Sequence, residues 1–350
     1  MTGSEVLSIN LLHVGRTWRR LNRPIFGLAN VISDQIAAKE WEVPGLLTNV
    51  RYGSEVLMAS DYGGSHKASK YETFGFLVGS TSGAADWDRL RYKVRRSFAS
   101  DNRRLAYKKL RSDRDIEWLI AFLDMANYFP GVIVTFLVDK SIKPMLGDYG
   151  SIRWFPEMVV AERGWNQRAF RKLSLVANMG GLLLAGLTDT SQDMLWVTDQ
   201  DEIAPNPTKH NHAGHVIHHY ISTFAPDKNG FITFATTELD IGERRHEDAV
   251  AIPDLVAGAL ADSMSRVRSE GIEAGSLLCV PLPESVPLKT RIVLRWLSAH
   301  YFPLRRLVVV LDKDEAGNVL SKVVRLTYQP STLLYPHSAL LRPTGSVILT

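Results

Sequence analysis

The chain has 350 residues, enough for one large domain or two ordinary ones, and its 45% hydrophobic and 22% charged residues exclude a disordered or fibrous protein. A net charge of +4 and a pI near 9.0 favour a polyanionic partner over a cationic one. A single cysteine, Cys279, excludes an internal disulfide framework and a cysteine-based zinc cluster, and no run of about eighteen apolar residues marks a membrane span, so no membrane partner is expected.

Residues 1–50 lack the basic segment, apolar run and small-residue cleavage site of a secretory signal, which leads to the expectation of a cytoplasmic protein. They carry Arg16, Arg19, Arg20 and Arg23 ahead of a helical pattern over 28–41 and read as a basic extension. Residues 56–59 have strand composition and lead into Ser60-Asp61-Tyr62-Gly63-Gly64-Ser65, which delivers the Asp61 carboxylate into a glycine turn. A second apolar run at 72–79 predicts an antiparallel partner with Asp61 at the mouth of the pair. The pattern over 86–98 predicts a helix with Trp87, Leu90 and Val94 on one face and arginines around the rest. Residues 105–110 fit a strand or a turn. A clearer helix spans 113–128 and is stopped by Phe129-Pro130-Gly131.

Residues 132–138 are nearly all β-branched or aromatic and do not alternate, which predicts a central strand covered on both faces. A helical region over 157–185 reads as broken near Gly180-Gly181, a helix break or a close-packing site. The strand at 194–198 runs into Asp199-Gln200-Asp201-Glu202, again carrying carboxylates out of a strand. A helix over 209–224, a strand over 231–236 and a helix over 253–267 follow. From residue 277 onward the pattern gives a helix at 288–299 and a hairpin, with 307–311 and 319–327 flanking the turn at 312–318. The order predicts an α/β fold, a mixed sheet flanked by helices, with a basic N-terminal extension (1–50), a central domain (51–270) and a C-terminal helix and hairpin appendage (271–350).

Three acidic positions recur at element ends: Asp61, Asp199 or Asp201, and Asp254, which follows Pro253 at an expected helix start. Carboxylates converging from separate elements are what Mg²⁺ or Mn²⁺ needs, because hard cations take oxygen ligands and can stabilise both oxygens of an in-line phosphoryl displacement. Turn residues and helix caps are the competing explanation at any one of these positions.

The stretches Val56-Leu57-Met58-Ala59-Ser60-Asp61-Tyr62-Gly63-Gly64-Ser65, Leu195-Trp196-Val197-Thr198-Asp199-Gln200-Asp201 and Glu247-Asp248-Ala249-Val250-Ala251-Ile252-Pro253-Asp254-Leu255-Val256-Ala257-Gly258 resemble a widespread bacterial family of unknown function within the ribonuclease H-like superfamily. Its members open on an Asp-Glu-Ser-Gly turn and close on Gln-x-Ala-Asp-Leu-Val-Ala-Gly. The resemblance covers roughly residues 55–265. It implies a ribonuclease H-like fold and a divalent-metal-dependent nuclease, with Asp61, Asp199 and Asp254 as metal ligands, Asp201 or Asp248 assisting, and Lys108 or Lys109 matching a lysine after the hairpin. Two departures stand out: Tyr62 replaces the opening glutamate and Ala251 the closing glutamine, with Glu247 or Asp248 as substitutes.

Between Arg89 and Arg114 lie eleven lysines and arginines, Arg95, Arg96, Arg103, Arg104, Lys108, Lys109 and Arg111 among them, against only Asp101 and Asp113. Such density predicts salt-dependent binding of DNA or RNA, and the interleaved Tyr92, Phe98 and Tyr107 suit stacking on unpaired bases or a buried stripe; a solvated helix face is the alternative. On a helix His212, His215 and His219 would share a face at metal-site spacing, but no cysteine or HExxH pattern joins them. His246, beside Glu247 and Asp248, is a candidate accessory residue. No GxxxxGK[ST] loop and no GxSxG elbow is present. The rival readings are a non-catalytic nucleic-acid-binding module on a degenerate form of the same fold and an assembly subunit that binds a protein partner through its terminal extensions.

Overall fold

The structure, a computed structural model, describes residues 16–21, 27–65, 69–142, 164–240, 242–269, 279–281, 286–300, 302–330 and 345–349. Arg23, the first part of the helical region expected over 157–185, and residues 277–278 of the tail lie outside the described residues.

The first helix, α1 (Leu28–Glu42), buries Ile32 and Ile36. Three strands then form an antiparallel meander: β1 (Glu55–Gly63), β2 (Tyr71–Ser80) and β3 (Gly131–Asp139), with Asp61 opposite Gly75 and Gly75 opposite Thr135. Between β2 and β3 come α2 (Ala85–Phe98) and α3 (Asp113–Ala126), the latter started by a capping box in which Ser112 and Asp115 each bond the other's backbone N–H. Next are α4 (Gln167–Leu187), β4 (Asp193–Thr198), α5 (Pro207–Phe224) and β5 (Ile232–Thr236). Strand β4 lies parallel to β1, with Ser60 opposite Thr198, and β5 parallel to β4, with Thr198 opposite Thr236. The chain continues through α6 (Arg245–Ser269), β6 (Cys279–Pro281), α7 (Leu288–Leu297), β7 (Arg305–Lys313), β8 (Val319–Val324), β9 (Leu326–Pro330) and β10 (Gly345–Leu349).

Among the described residues, seven strands make one mixed sheet in the order β5-β4-β1-β2-β3-β7-β8, and β6, β10 and β9 form a small second sheet. One face of the large sheet is covered by α1, α4 and α5 through Ile36, Leu183 and Ile217, and the other by α2, α3, α6 and α7 through Trp87, Phe122, Val256 and Val293. The α/β layering expected from the order of elements is therefore present. Every residue of β3 is buried, as its unbroken apolar run requires.

Three expectations need correction. The hairpin over 307–311 and 319–327 is not an appendage, because β7 pairs in parallel with β3 and β8 closes that side of the sheet. Leu307, Val309 and Leu311 face one core and Val308 the other, and a strand apolar on both sides cannot be left outside. Nor do the described residues 16–21 and 27–50 form an extension outside the domain, since Trp18, Ile32, Ile36 and Leu47 pack into the core. Finally, α4 runs unbroken through Gly180 and Gly181. A β-carbon at Gly180 would fall 2.1 Å from the Trp196 ring and one at Gly181 2.7 Å from the Phe224 ring, so both glycines serve close packing. No described helix is long and apolar enough to cross a membrane.

Candidate active site

The exits of β1, β4 and β5 share one edge of the sheet, and α6 crosses β1 and β2 next to it. Glycines set the closeness of that crossing. A β-carbon on Gly75 would stand 2.9 Å from Pro253 Cβ, and one on Gly63 3.1 Å from the Ala257 carbonyl oxygen. The Thr73 hydroxyl donates to that same carbonyl at 3.0 Å. Because Gly75 is the register partner of Asp61, the helix is brought down beside Asp61, and the Asp254 side chain reaches it.

The two carboxyl groups are hydrogen-bonded to each other. Burial, then the Asp254 charge and its hydrogen bond, then Asp199 and Asp201 push the Asp61 carboxyl well above the ordinary carboxylate range. Burial raises Asp254 as well, against the Tyr107 N–H that donates to its Oδ2 at 2.7 Å and against Arg104. Two carboxyls held this close resist ionising together without a cation, so the pair tends to share one proton.

Cations crowd the neighbouring acids. Arg104 Nη1 donates to Asp199 Oδ1 at 2.6 Å, and the Thr237 hydroxyl donates to the same oxygen at 3.3 Å. Burial pulls the Arg104 guanidinium down, but Asp199, Asp61 and Asp254 together hold it above its ordinary value. Lys172 Nζ pairs with Asp201 Oδ2 at 2.6 Å and with Glu202 at 3.1 Å. Among the described residues no group of three or more His, Cys, Asp or Glu side chains is placed to hold a metal ion. The Asp61 and Asp254 pair alone offers two carboxylates, the number by which Mg²⁺ is usually held when substrate phosphate and water complete its shell.

The segment expected as a strand or turn is a short 3₁₀ turn, Tyr107–Lys109, clamped onto α6. Its first N–H goes to Asp254, its Tyr107 hydroxyl donates to Asp262 Oδ2 at 2.8 Å and contacts the Thr290 hydroxyl at 2.6 Å, and its ring lies over Gly258, where a β-carbon would come within 2.4 Å. Asp254, Gly258 and Asp262 recur every four residues, so one face of α6 holds the whole turn. Lys289 Nζ donates to the Tyr107 carbonyl at 2.9 Å and sits over its ring at 4.3 Å. Lys108, Lys109 and Arg111 are exposed beside this site, and none forms an ion pair with a described residue.

The remaining expected residues fall elsewhere. Asp248, with a side chain only 3% exposed, is gripped by Arg95 at 2.6 and 2.8 Å and by Arg91 at 3.3 Å, an interior ion cluster away from Asp254. Burial raises its carboxyl despite both arginines. Arg95 is thereby committed to the fold, as is Arg103, which lies over the Trp118 ring at 4.7 Å and pairs with Asp115. Arg96 remains exposed, over Tyr92. Helix α6 begins at Arg245, not at Pro253, so Asp254 is interior to the helix. Its start is fixed from outside by Asp240, which accepts the Glu247 N–H at 2.6 Å and meets His246 Nδ1 at 2.7 Å, and His246 is therefore part of that cap. Tyr62 stands on the opposite sheet face from Asp61, where its hydroxyl contacts Ser60 at 2.7 Å and Lys172 lies over its ring at 4.9 Å; Ala251 is buried in the core. His210 stacks on Phe234 and His218 contacts Ser222, and the histidines of α5 form no metal-binding group among the described residues. Lys172, Thr237 and Lys289 were not singled out from the sequence; each lies far along the chain from its partner, and a lone lysine or threonine carries no local signal.

The sequence matches no family model, and a search of curated proteins finds no match.

Proposed function

We propose that the chain is a divalent-metal-dependent nuclease of the ribonuclease H-like kind, hydrolysing phosphodiester bonds of DNA or RNA. The observation that carries this reading is the Asp61–Asp254 pair, two buried carboxyls from separate elements brought within hydrogen-bonding reach of each other. An antiparallel run of three strands extended by two parallel ones, with acids at the exits of the first and fourth, supports the same reading.

Asp61 and Asp254, with Asp199 as third ligand, would hold Mg²⁺ or Mn²⁺. Bound there, the metal supplies neutralising charge to phosphoryl oxygens and lowers the pKa of an attacking water. The chain's own part is positioning. Lys108, Lys109 and Arg111 offer exposed charges to backbone phosphates, contacts that fix a strand without reading its sequence. The Tyr107 N–H orients the Asp254 carboxylate, and Lys289 orients Tyr107 through its carbonyl. Arg104 balances Asp199 until substrate and metal arrive.

The test is the melting temperature with and without millimolar Mn²⁺ for wild type, Asp61→Asn and Asp254→Asn, followed by cleavage assays on DNA and RNA. Metal at about 100 times its dissociation constant stabilises wild type by about 2.7 kcal/mol and neither variant. Equal shifts in all three proteins, or none, would remove the basis for catalysis. The 2.6 Å Arg104–Asp199 pair favours one second reading, a non-catalytic nucleic-acid-binding module whose acids are neutralised internally. That reading requires salt-sensitive binding by wild type with neither metal response nor cleavage.

A further inference from the structure

Helix α2 carries the first part of the basic run, and its two faces are put to different uses. Trp87 and Arg91 are buried, and Leu90, Val94 and Phe98 pack against the core on the same side. Arg95 holds Asp248, which lies six residues ahead of Asp254 on α6, about 9 Å along the helix axis at about 1.5 Å per residue. The opposite face of α2 presents Tyr92, Lys93 and Arg96 to solvent. Tyr92 is 58% exposed, and the Arg96 guanidinium, one turn further on, lies over its ring at 5.8 Å. Neither Lys93 nor Arg96 forms an ion pair with a described residue. The acids of α2, Asp86 and Asp88, both lie in its first turn and are paired with Arg89 and Arg245, and residues 89–98 contain no acid. From the end of α2 the chain enters the acidic site, where Arg104 donates to Asp199 and the Tyr107 N–H to Asp254, and goes on to the exposed Lys108, Lys109 and Arg111.

An open aromatic ring and unpaired cations recognise different parts of a nucleic acid. Lysine and arginine neutralise the phosphates of any strand, whereas an exposed ring gains by stacking only on a base whose π-face is free. In a duplex the bases stack on one another and offer only their edges in the grooves, so Tyr92 contributes nothing to holding one. Of the three aromatics interleaved in the basic run, the fold spends Phe98 and Tyr107 on the core and leaves Tyr92 outside it. A single exposed tyrosine would be ordinary surface, but this one stands beside two cations that no acid neutralises, on the helix that leads to the Asp61–Asp254 pair. The guanidinium over its ring also restricts the ring before any base arrives, which lowers the ordering cost of stacking. We propose that the Tyr92, Lys93 and Arg96 face of α2 binds a single strand of nucleic acid, with Tyr92 stacked on an unpaired base and the two cations on its phosphates. Delivery of that strand to the acidic site rests on the nuclease reading, and it makes the substrate single-stranded; the binding face itself does not depend on catalysis.

The experiment is a fluorescence-anisotropy titration of the full chain in chelated buffer, where metal-dependent cleavage cannot occur. The probes are labelled mixed-sequence DNA and RNA strands and duplexes of the same length, at one salt concentration. Wild type should bind a single strand more tightly than the duplex. Tyr92→Ala should weaken single-strand binding about tenfold or more, the loss expected for one base–aromatic stack, and leave duplex binding unchanged. Tyr92→Phe should bind as wild type does, because the ring and not the hydroxyl makes the stack. Salt separates the two kinds of contact: Tyr92→Ala should keep the wild-type slope of log affinity against log salt, and the Lys93→Ala, Arg96→Ala double variant should flatten it by about 0.7 for each phosphate no longer neutralised. All these side chains are at the surface, so unchanged melting temperatures exclude a folding effect. The proposal is overturned if neither form of nucleic acid binds at low salt, if the duplex binds as tightly as the single strand, or if Tyr92→Ala binds the single strand as wild type does. Tyr92-dependent single-strand binding by a chain that shows no Mn²⁺ response and no cleavage supports the binding face and removes the nuclease reading. Cleavage that prefers duplex and ignores Tyr92→Ala does the reverse.

Discussion

Asp61 and Asp254 share a proton because β1 and α6 leave them no room to be apart, and that proton has a thermodynamic signature. The folded chain holds it more tightly than the unfolded chain does, since burial and Asp254 raise the Asp61 carboxyl. Its contribution to stability is therefore fully present below the ordinary aspartate pKa of about 4 and is lost as pH rises through the raised value. Other carboxyls act in the opposite sense, Asp115 for instance being held low by the Ser112 backbone and side-chain hydrogen bonds, so the informative quantity is wild type minus Asp61→Asn. In chelated buffer, unfolding free energies measured against pH should coincide near pH 4 and diverge upward, with the asparagine variant the more stable at neutral pH; adding Mn²⁺ should reverse that order. A difference that stays flat with pH would mean that the two carboxyls do not share a proton. At this scale the sequence was informative about carboxylates and poor about their counter-charges. Asp61 and Asp254 announce themselves by a strand exit and a helix motif, whereas Arg104, Lys172 and Lys289 acquire their roles only from partners about 95, 29 and 182 residues away.

The site's elements are held together by small residues where bulk would be ordinary. Gly258 lies inside α6, where alanine would favour the helix by about 1 kcal/mol. Its added β-carbon would meet the Tyr107 ring at 2.4 Å, and Tyr107 is pinned at both its backbone N–H and its hydroxyl, so the ring has no cheap way to retreat. Overpacking at about 1 to 3 kcal/mol wins, and Gly258→Ala should lower stability by about 1 to 2 kcal/mol while weakening the Mn²⁺-induced shift in melting temperature. A variant as stable as wild type with its metal response intact would show that the Tyr107 turn is not needed to place Asp254. The elements themselves were largely readable, since β1, β2, β3, β4 and β5 all coincide with apolar runs bounded by turn residues. What misled was punctuation. Pro253 reads as a helix start but sits inside α6, because the true start is set by Asp240 in the preceding turn, and Gly180-Gly181 reads equally as a break until the Trp196 and Phe224 rings are seen against it.

Across the whole molecule charge is sorted by place: an acidic pocket at one sheet edge with Lys108, Lys109 and Arg111 beside it, and Arg305, Arg306 and Arg325 lining a cleft at the other. If the first set binds a strand backbone, replacing all three by alanine should flatten the dependence of log affinity on log salt by about 2 to 3, at about 0.7 to 0.9 for each phosphate no longer neutralised, and leave the Mn²⁺ response unchanged. A slope unaltered in fluorescence-anisotropy titrations would exclude them from the interface. Within the basic run these three are the exposed charges that lie beside the acidic site, whereas Arg95 and Arg103 are spent on Asp248 and Asp115. The C-terminal third was the least legible region, for a hairpin pattern declares its own pairing and says nothing of the strand it will join. The place where it joins matters for how the protein is made. During synthesis β3 has β2 on one side and nothing on the other until Arg305–Lys313 has been translated, so a long, mostly apolar strand edge waits through the whole middle of the chain. The acids that define the candidate site are all translated before that edge is closed, and a nascent chain holding every one of them is still an aggregation-prone intermediate.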